Sequence, residues 1–534
     1  MRVRAGTLSR LAATWYGPKV ALTSLAGGKL RSHTFAALNE AGNRIGSGLI
    51  GLGVGRGDRV GVLGYNTAEI VEAWLGFEKH NIVRSVLHSH MEMDAHVWAL
   101  NHIEASALVF DSRFSVEVHR HRARLATVRH LIALGPDPPS WALPYEEVAA
   151  SGSVDEPDLD VDEDTPCFLQ FTSGTTGPPK AWVKTYRSWQ AVIDQNIHHL
   201  DTFGPNVPMV GPDDVNIHFH PLQWASGFQT LYPYLIRGAR SVLLDDATFE
   251  PSAVVDVIMA EGGTGMFVPG PLLGPLLDEV DRRGGIEHRL RRLVCFFVTP
   301  QLLERTTKLL GPVWTHGFGS TEQGAVTTRL LPQQVVQKPE RVHSVGRPGS
   351  PFFELAIMDP RGTPLPPRQL GEIAVRGAMS LGEYWRMPDQ TAAAFFPGGW
   401  FRSSDLGILD EDGYLYFIGR ATDTIRTQAG HVHPHRVEDA LFHHEAVANC
   451  AVVGLGEPGD QQVVAAVQLK PGWSSTAELA GTILGAVRTL LAQHESPERI
   501  FFVAELPTVL GGAKVQREVL RDRLTAIASE DPLG

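Results

Sequence analysis

Cysteine is scarce in this chain, and the three present, Cys167, Cys295 and Cys450, lie far apart. Such spacing suits neither a disulfide framework nor a CxxC metal site, and it points to a reducing, cytoplasmic setting. Nowhere does the sequence approach the ~18 uninterrupted apolar residues that a membrane span requires. The early arginines of MRVRAGTLSRLAATWYG precede no apolar core of the kind a secretion signal carries. The expectation is a chain neither secreted nor membrane-spanning. Long single-sign runs are missing too: 47 basic against 59 acidic residues give a formal charge of −12 with no basic stripe, which argues against nucleic acid or an anionic membrane as main partner. No internal repeat or low-complexity tract is visible. At 534 residues the chain exceeds what one core accommodates, so at least two domains are expected.

Strand-helix alternation, by contrast, is abundant. From Gly51 to Leu75 the text reads as turn, short apolar strand and a helix opened by Asn66 or Thr67, with Glu69 and Glu72 in its first turns. Similar units recur around ASALVFDS, SVLLDDATFEPSAVVDVIMAEG and LRRLVCFFVTPQLLERTTKLLG. This predicts an α/β fold with helices over largely parallel sheets, and ligands beyond the carboxyl ends of the strands. From about Val345 the texture changes to short strands with Gly/Pro turns, ELAIMDPRGTPLPPRQLGEIAVRG and GYLYFIGR, predicting an antiparallel β region that closes a large domain over 1–421. Residues 422–534, with ANCAVVGLG and QQVVAAVQLK, read as an independent small α+β domain.

The most informative stretch is FTSGTTGPPK, Phe171 to Lys180. Thr172, Ser173, Gly174, Thr175, Thr176 and Gly177 supply backbone N–H groups and hydroxyls that can close around phosphate oxygens. The spacing is not the GxxxxGK[ST] of P-loop NTPases. A mobile Ser/Thr/Gly linker is the competing reading. The apolar run CFLQF before the loop and a helical segment after it favour a nucleotide loop.

Four further stretches make a constellation. FGSTE at Phe318 to Glu322, GGWFRSSDLG with Asp405, GYLYFIGRATDTI with Arg420, and LPTVLGGAKVQR with Lys514 follow the loop in order. Together they resemble the TSGTTGxPK, YGxTE, GWxxTGDxG, GYxxxxGRxDDxI and LPKTxSGKIxR motifs of the adenylate-forming superfamily: acyl-CoA synthetases, firefly luciferases and peptide-synthetase adenylation domains. The likeness spans nearly the whole chain. It implies a ligase that joins a small-molecule carboxylic acid to AMP using ATP and Mg²⁺, and then passes the acyl group to a thiol as a small domain rotates about a hinge.

Residue by residue, Phe318 offers adenine a flat face while Gly317 and Gly319 allow close backbone approach, with Ser320 beside them. Thr321 offers a hydroxyl to the α-phosphate, and Glu322 a hard oxygen ligand for Mg²⁺. Asp405 can accept from both ribose hydroxyls, Arg420 can present its fork to ribose or phosphate, and the likeness places Ile418 with the same nucleotide set. Lys514 is the candidate cation for the charge that develops on phosphorus, and Thr422 stands at the hinge. Structural readings stand beside these: Phe318 as a core aromatic, Asp405 paired with Arg420, Lys180 held by a carboxylate such as Glu372.

Three departures bear on the first half-reaction. The lysine loop, GGAK, is one residue longer than the motif between Pro507 and Lys514; CFFVTP, Cys295 to Pro300, replaces the usual small-residue wall of the adenine pocket; and the hinge is Thr422, followed by QAGH. Displacing a cation by ~1 Å can cost about a hundredfold in rate. They raise the alternative of a ligase that performs only thioesterification, fed by a partner adenylating enzyme. With no carrier-domain serine after LGGAK, the thiol comes from CoA or a separate carrier protein. HPLQWASGF resembles the family's PLFHxxG, with Trp224 in place of the gating histidine and Ser226 and Gly227 leaving room beside it. That implies a bulky apolar acid, aromatic, fatty or polycyclic, suited to specialised biosynthesis. Trp224 as a core residue is the alternative. His431, His433 and His435 do not match a zinc spacing. The rival class is a non-catalytic protein that binds nucleotide or acyl-adenylate.

Overall fold

The computed structural model describes all residues except 27–28, 172–178, 205, 325, 352, 510–513 and 531–534. The chain forms two compact units, Met1–Glu354 with Val375–Phe401, and Leu355–Ala374 with Arg402–Gly534. It passes from one to the other within the strands Phe353–Met358, Gly371–Gly377 and Trp400–Leu409.

The first unit contains two seven-stranded sheets. In one the order is Ala181–Thr185, Pro166–Phe171, Val83–Leu87, Arg59–Leu63, Ala107–Asp111, His130–Leu134, Leu143–Pro144. In the other it is Trp314–His316, Arg292–Phe296, Gly265–Pro269, Val215–His218, Arg240–Leu244, Val20–Ala26, Lys29–Thr34. All neighbours are parallel except for one antiparallel edge strand in each sheet, Ala181–Thr185 and Lys29–Thr34. The expected parallel α/β core is therefore present. After Arg59–Leu63 the helix Ala68–His80 opens at Thr67, whose hydroxyl accepts the Ile70 N–H, so Thr67 and not Asn66 is the cap. One expectation needs correction. The strand Ala181–Thr185, antiparallel to Pro166–Phe171, comes before the helix Tyr186–Asp201, so a strand and not a helix follows Lys180. AWVKT is too short to show a period, and pairing with a neighbour distant in sequence decides its state.

Helices fill the space between the sheets. Ala68–His80 and Tyr186–Asp201 pack on the first sheet, Ala225–Ile236 on the second, and the last two on each other. Buried within this layer is a full charge. The Arg84 guanidinium lies 4.3 Å from the Trp74 ring, 4.2 Å from Phe168, 4.7 Å from Trp189 and 4.9 Å from Phe228. Among the described residues its Nε and Nη2 have no hydrogen-bond partner, so the aromatic faces solvate it. Glu78, also buried, accepts from the Tyr232 hydroxyl at 2.9 Å and provides the countercharge; burial pushes its carboxyl pKa up.

In the second unit Val447–Leu455 pairs antiparallel with Gln462–Leu469, which pairs parallel with Arg499–Phe502. Cys450, Val452, Val463, Ala465 and Val467 face the helices Pro434–Leu441 and Ala477–Arg488, while Ala451, Val453, Val464 and Ala466 face Arg517–Glu530. Period-two alternation that is apolar on both faces is what a sheet covered on both sides requires. No helix among the described residues is long and apolar enough to cross a membrane.

Removing Arg84 leaves the buried Glu78 carboxyl without the nearby positive charge that favours its ionised form. Arg84→Ala is expected to destabilise the first unit by about 3–5 kcal/mol, and the volume-matched Arg84→Met with Glu78→Gln to recover most of it. Denaturant unfolding of both variants checks this.

Candidate active site

Asn66, fully buried just beyond the strand Arg59–Leu63, joins the two sheets at their carboxyl ends. Its Nδ2 donates to the carbonyls of His220 (2.9 Å) and Leu244 (3.1 Å), its Oδ1 accepts the Leu222 N–H (2.8 Å), and its own N–H donates to Asp246 Oδ1 (2.5 Å). Nearby, Gln170 Nε2 donates to the Gln223 carbonyl at 3.0 Å, and the Gln223 amide donates to the Gly64 carbonyl. The Asn66 side chain and backbone N–H fix loops of the second sheet against the first, in the place where parallel sheets receive ligands.

Thr172, Ser173, Gly174, Thr175, Thr176 and Gly177 lie outside the described residues. The strand leading to them ends at Phe171, whose carbonyl accepts from His88 Nε2 at 3.2 Å; burial lowers the His88 pKa, so the ring is neutral and Nε2 carries the proton. On the far side, Lys180 Nζ lies 5.3 Å from the centre of the Tyr384 ring.

Tyr384 leads to Glu322. The Tyr384 hydroxyl donates to Glu322 Oε1 at 3.0 Å and the Ser320 hydroxyl to Oε2 at 3.1 Å. Two hydroxyls orient the carboxylate and leave lone pairs on both oxygens, the donor chemistry that a hard divalent cation takes. Behind it Lys184, fully buried, donates from Nζ to the carbonyls of Glu322 (3.1 Å) and Met379 (2.7 Å). Burial pushes the Lys184 pKa down to about 7, against the opposing pull of the Glu322 charge. Phe318, 8% exposed, has its backbone pinned: its N–H donates to Thr328 Oγ1 at 3.0 Å, and its carbonyl accepts from the Thr327 N–H (2.8 Å) and hydroxyl (2.7 Å). Gly319, Ser320 and Thr321 are half-buried beside it. Tyr384 and Lys184 were not foreseen. A lysine inside the strand AWVKT was the one available signal; Tyr384 lies far along the chain and gave none.

Trp224 is buried at the start of Ala225–Ile236, its ring 6.3 Å from that of His220. His220 in turn lies 4.7 Å from Phe267, and Phe267 5.5 Å from Phe296. Ser226 is half-buried. At Gly227 a Cβ would stand 2.3 Å from the Leu222 carbonyl oxygen, so the glycine allows backbone to approach backbone, and the room expected there is filled by Leu222. Gly317 is comparable: its Cβ would lie 2.4 Å from the Thr328 carbonyl oxygen and 3.7 Å from Phe296. Of the two phenylalanines in CFFVTP, Phe296 is buried, whereas Phe297 is 68% exposed at φ 55, a left-handed position that a bulky residue rarely takes.

In the second unit Asp405 and Arg420 are directly opposed on antiparallel strands, with Arg420 Nε 3.6 Å from Asp405 Oδ1. Asp405 is buried, while Ile418 and Arg420 are half-buried on the same strand, Leu415–Arg420. Glu372 is held by Arg402 at 2.8 Å. Thr422 is exposed and donates to Asp423 Oδ1 at 3.3 Å. Asp423 lies 3.2 Å from Arg517, the arginine that closes the lysine motif, and Arg517 also grips Glu438 through two bonds of 2.6 and 3.0 Å. The backbone of Lys514 pairs with Val509. No group of three or more His, Cys, Asp or Glu among the described residues is placed to hold a metal ion.

Two outcomes follow from this geometry. Lys184→Met removes the hydrogen bonds that hold the Glu322 and Met379 carbonyls and is expected to raise the KM for ATP by roughly tenfold or more, as loss of charge-assisted hydrogen bonds implies; initial rates of ATP–pyrophosphate exchange measure it. Burial raises the Asp246 pKa from 3.8 to about 7. The unfolded chain therefore ionises there while the folded one does not, and stability falls from about pH 4 to 7, then levels. Melting curves across that range are expected to show Asp246→Asn gaining on the native protein by up to on the order of 4 kcal/mol.

The family model described as AMP-binding enzyme matches residues 10–385, and that described as AMP-binding enzyme C-terminal domain matches 436–510. The long-chain-fatty-acid–CoA ligase of Thermus thermophilus is 28% identical over 520 residues, 96% of this chain and 94% of that protein. The 2-succinylbenzoate–CoA ligase of Geobacillus kaustophilus is 30% identical over 505 residues, 92% of this chain and 93% of that protein. Among solved structures, the anthranilate CoA ligase AuaEII in complex with anthranoyl-AMP has a TM-score of 0.89 at 24% identity, covering 99% of this chain and 98% of that one, a likeness of fold. The chain belongs to the AMP-binding enzyme family and is a ligase of the adenylate-forming class that its five motifs resemble.

Proposed function

We propose that this ligase converts a bulky hydrophobic carboxylic acid, through acyl-AMP, into acyl-CoA. The observation that carries the reading is the linked set Lys180, Tyr384, Glu322 and Lys184, with Lys180 directly before the strand whose first residue, Ala181, pairs with Phe171 at the carboxyl end of Pro166–Phe171. The names of the relatives, CoA ligases of fatty and aryl acids, support CoA as the thiol.

In the first half-reaction a carboxylate oxygen attacks the α-phosphorus of ATP; the new C–O–P linkage forms as the bond to pyrophosphate breaks. Thr172 to Gly177 and Lys180 hold phosphates, Phe318 with Gly317, Gly319 and Ser320 forms the adenine wall, Thr321 donates to the α-phosphate, and Asp405, Ile418 and Arg420 receive the ribose. Glu322 would hold Mg²⁺, which when bound offsets triphosphate charge. Lys514, brought in by the small domain 422–534, stabilises the charge developing on phosphorus. In the second half-reaction the domain turns about Thr422, the thiol sulfur attacks the acyl carbonyl, AMP leaves with the bonding pair, and the thiol proton passes to solvent. Trp224, Ser226, Gly227 and Gly317 border the acid.

The departures in the lysine loop, in CFFVTP and at Thr422 favour a second reading, thioesterification of an acyl-AMP supplied by another enzyme. One assay separates them: the purified chain is given CoA, Mg²⁺ and hydrophobic acids with ATP, or the same acids as preformed acyl-AMP. Acyl-CoA from both inputs is expected; acyl-CoA from the adenylates alone places the defect in adenylation, and carrier protein in place of CoA tests the acceptor. Lys514→Ala is expected to slow the ATP-dependent route about 10²–10³-fold and to spare the route from acyl-AMP.

A further inference from the structure

Arg517 stands three positions beyond Lys514, at the start of the helix Arg517–Glu530, and its guanidinium reaches three other segments of the second unit. Nη1 donates to Glu438 Oε1 at 2.6 Å and to the Val452 carbonyl at 2.8 Å, Nη2 donates to Glu438 Oε2 at 3.0 Å, and Nε lies 3.2 Å from Asp423 Oδ2. Glu438 Oε1 also accepts the Val452 N–H at 2.8 Å. Val452 lies on Val447–Leu455, the outer strand of its three-stranded sheet, so Glu438 and Arg517 together satisfy backbone groups at an open sheet edge. These bonds already anchor the guanidinium to the sheet and to the helix Pro434–Leu441. The contact with Asp423 adds a link to a different place, the turn at Thr422.

One carboxylate makes that link from both of its oxygens: Asp423 Oδ1 accepts from the Thr422 hydroxyl at 3.3 Å, while Oδ2 faces Arg517. A hydroxyl at 422 can donate to this carboxylate, which a second carboxylate in that place could not. At the other end, Thr508–Val509 pairs antiparallel with Lys514–Val515, and the Gln516 N–H donates to the Pro507 carbonyl at 2.8 Å. The lysine segment is therefore closed at its base and runs directly into Arg517, whose helix buries Leu520 and Leu524 beside Ala451 and Val453 of the sheet. Resting on the reading in which Lys514 serves adenylation and the small domain turns about Thr422, we infer that the chain Thr422–Asp423–Arg517 transmits the setting of the hinge to the lysine segment. Asp423 and Arg517 are then positioning residues that act through Lys514. Because a cation displaced by ~1 Å loses about a hundredfold in rate, one charge-assisted contact at the base of the segment is enough to register in adenylation. Thioester formation from acyl-AMP, which does not call on Lys514, does not register it.

The test uses the full-length protein carrying Asp423→Ala, which removes the link, or Asp423→Asn, which keeps an acceptor for Arg517; melting curves show that both fold. Acyl-CoA formation is followed from acid with ATP and from preformed acyl-AMP. Asp423→Ala is expected to lower kcat of the ATP-dependent route by about tenfold or more with little change in KM, and Asp423→Asn to recover most of that loss. The route from acyl-AMP is expected to stay within about twofold of the native rate, and Asp423→Ala added to Lys514→Ala to cost nothing further, since residues that act through one another are not additive. Equal slowing of both routes, or a full additional loss on top of Lys514→Ala, would assign Asp423 a purely structural role and overturn the inference, as would an ATP-dependent rate that Asp423→Ala does not change. Should the native chain form no acyl-AMP from ATP, the adenylation reading fails on its own account and hydrogen exchange over 507–516 decides the link: exchange roughly tenfold faster in Asp423→Ala supports it, and unchanged exchange overturns it.

Discussion

The active-site end of this molecule depends on one buried amide. Asn66 leaves the first sheet and spends its side chain on backbone groups of His220, Leu222 and Leu244 in the second. Backbone amides and carbonyls buried between two sheets must be paired, and a single asparagine with two donors and two lone pairs can satisfy three of them at once. Because the partners sit at strand ends, the same bonds set where the loops that border a ligand begin. The position of Trp224, two residues beyond Leu222, and of Asp246, which holds the Asn66 N–H, both follow from it.

Charge is buried here in a manner that costs stability and fixes geometry. Arg84 and Glu78 lie in the helical layer, where the guanidinium relies on four aromatic faces. Lys184 lies under Glu322 with its ammonium committed to two carbonyls, and Asp246 retains its proton to about pH 7. Apolar replacements would stabilise the fold more readily than such groups do. The placement differs in purpose: Arg84 is remote from the candidate ligand loops, whereas Lys184 and Asp246 each hold backbone or neighbours that those loops need. Phe297, exposed and in a left-handed conformation, is a further departure from the cheapest local structure.

Much of the design was readable in order along the chain. Five motifs identified the class, strand-helix units predicted the parallel sheets, and the alternation in ANCAVVGLG and QQVVAAVQLK predicted strands of the smaller unit. Less visible were contacts between segments far apart in sequence. Tyr384 reaches Glu322 across 62 positions, and Lys184 reaches Met379 across 195. The strand at Ala181–Thr185 was hidden for the same reason, since its state is set by the partner Pro166–Phe171 and by no period of its own.

The sequence by itself determined the chemical inventory and its order: the TSGTTG stretch, an FGSTE segment, Asp405, Arg420 and a lysine near the end, each a local pattern that is legible without coordinates. Tertiary structure alone decided which groups serve one another. It made Gly227 a point of backbone contact in place of open room, and set Asp405 opposite Arg420. Such pairings arise from packing two sheets and their helices to closure, and residue type fixes what a side chain can bond to but not which neighbour the fold will bring.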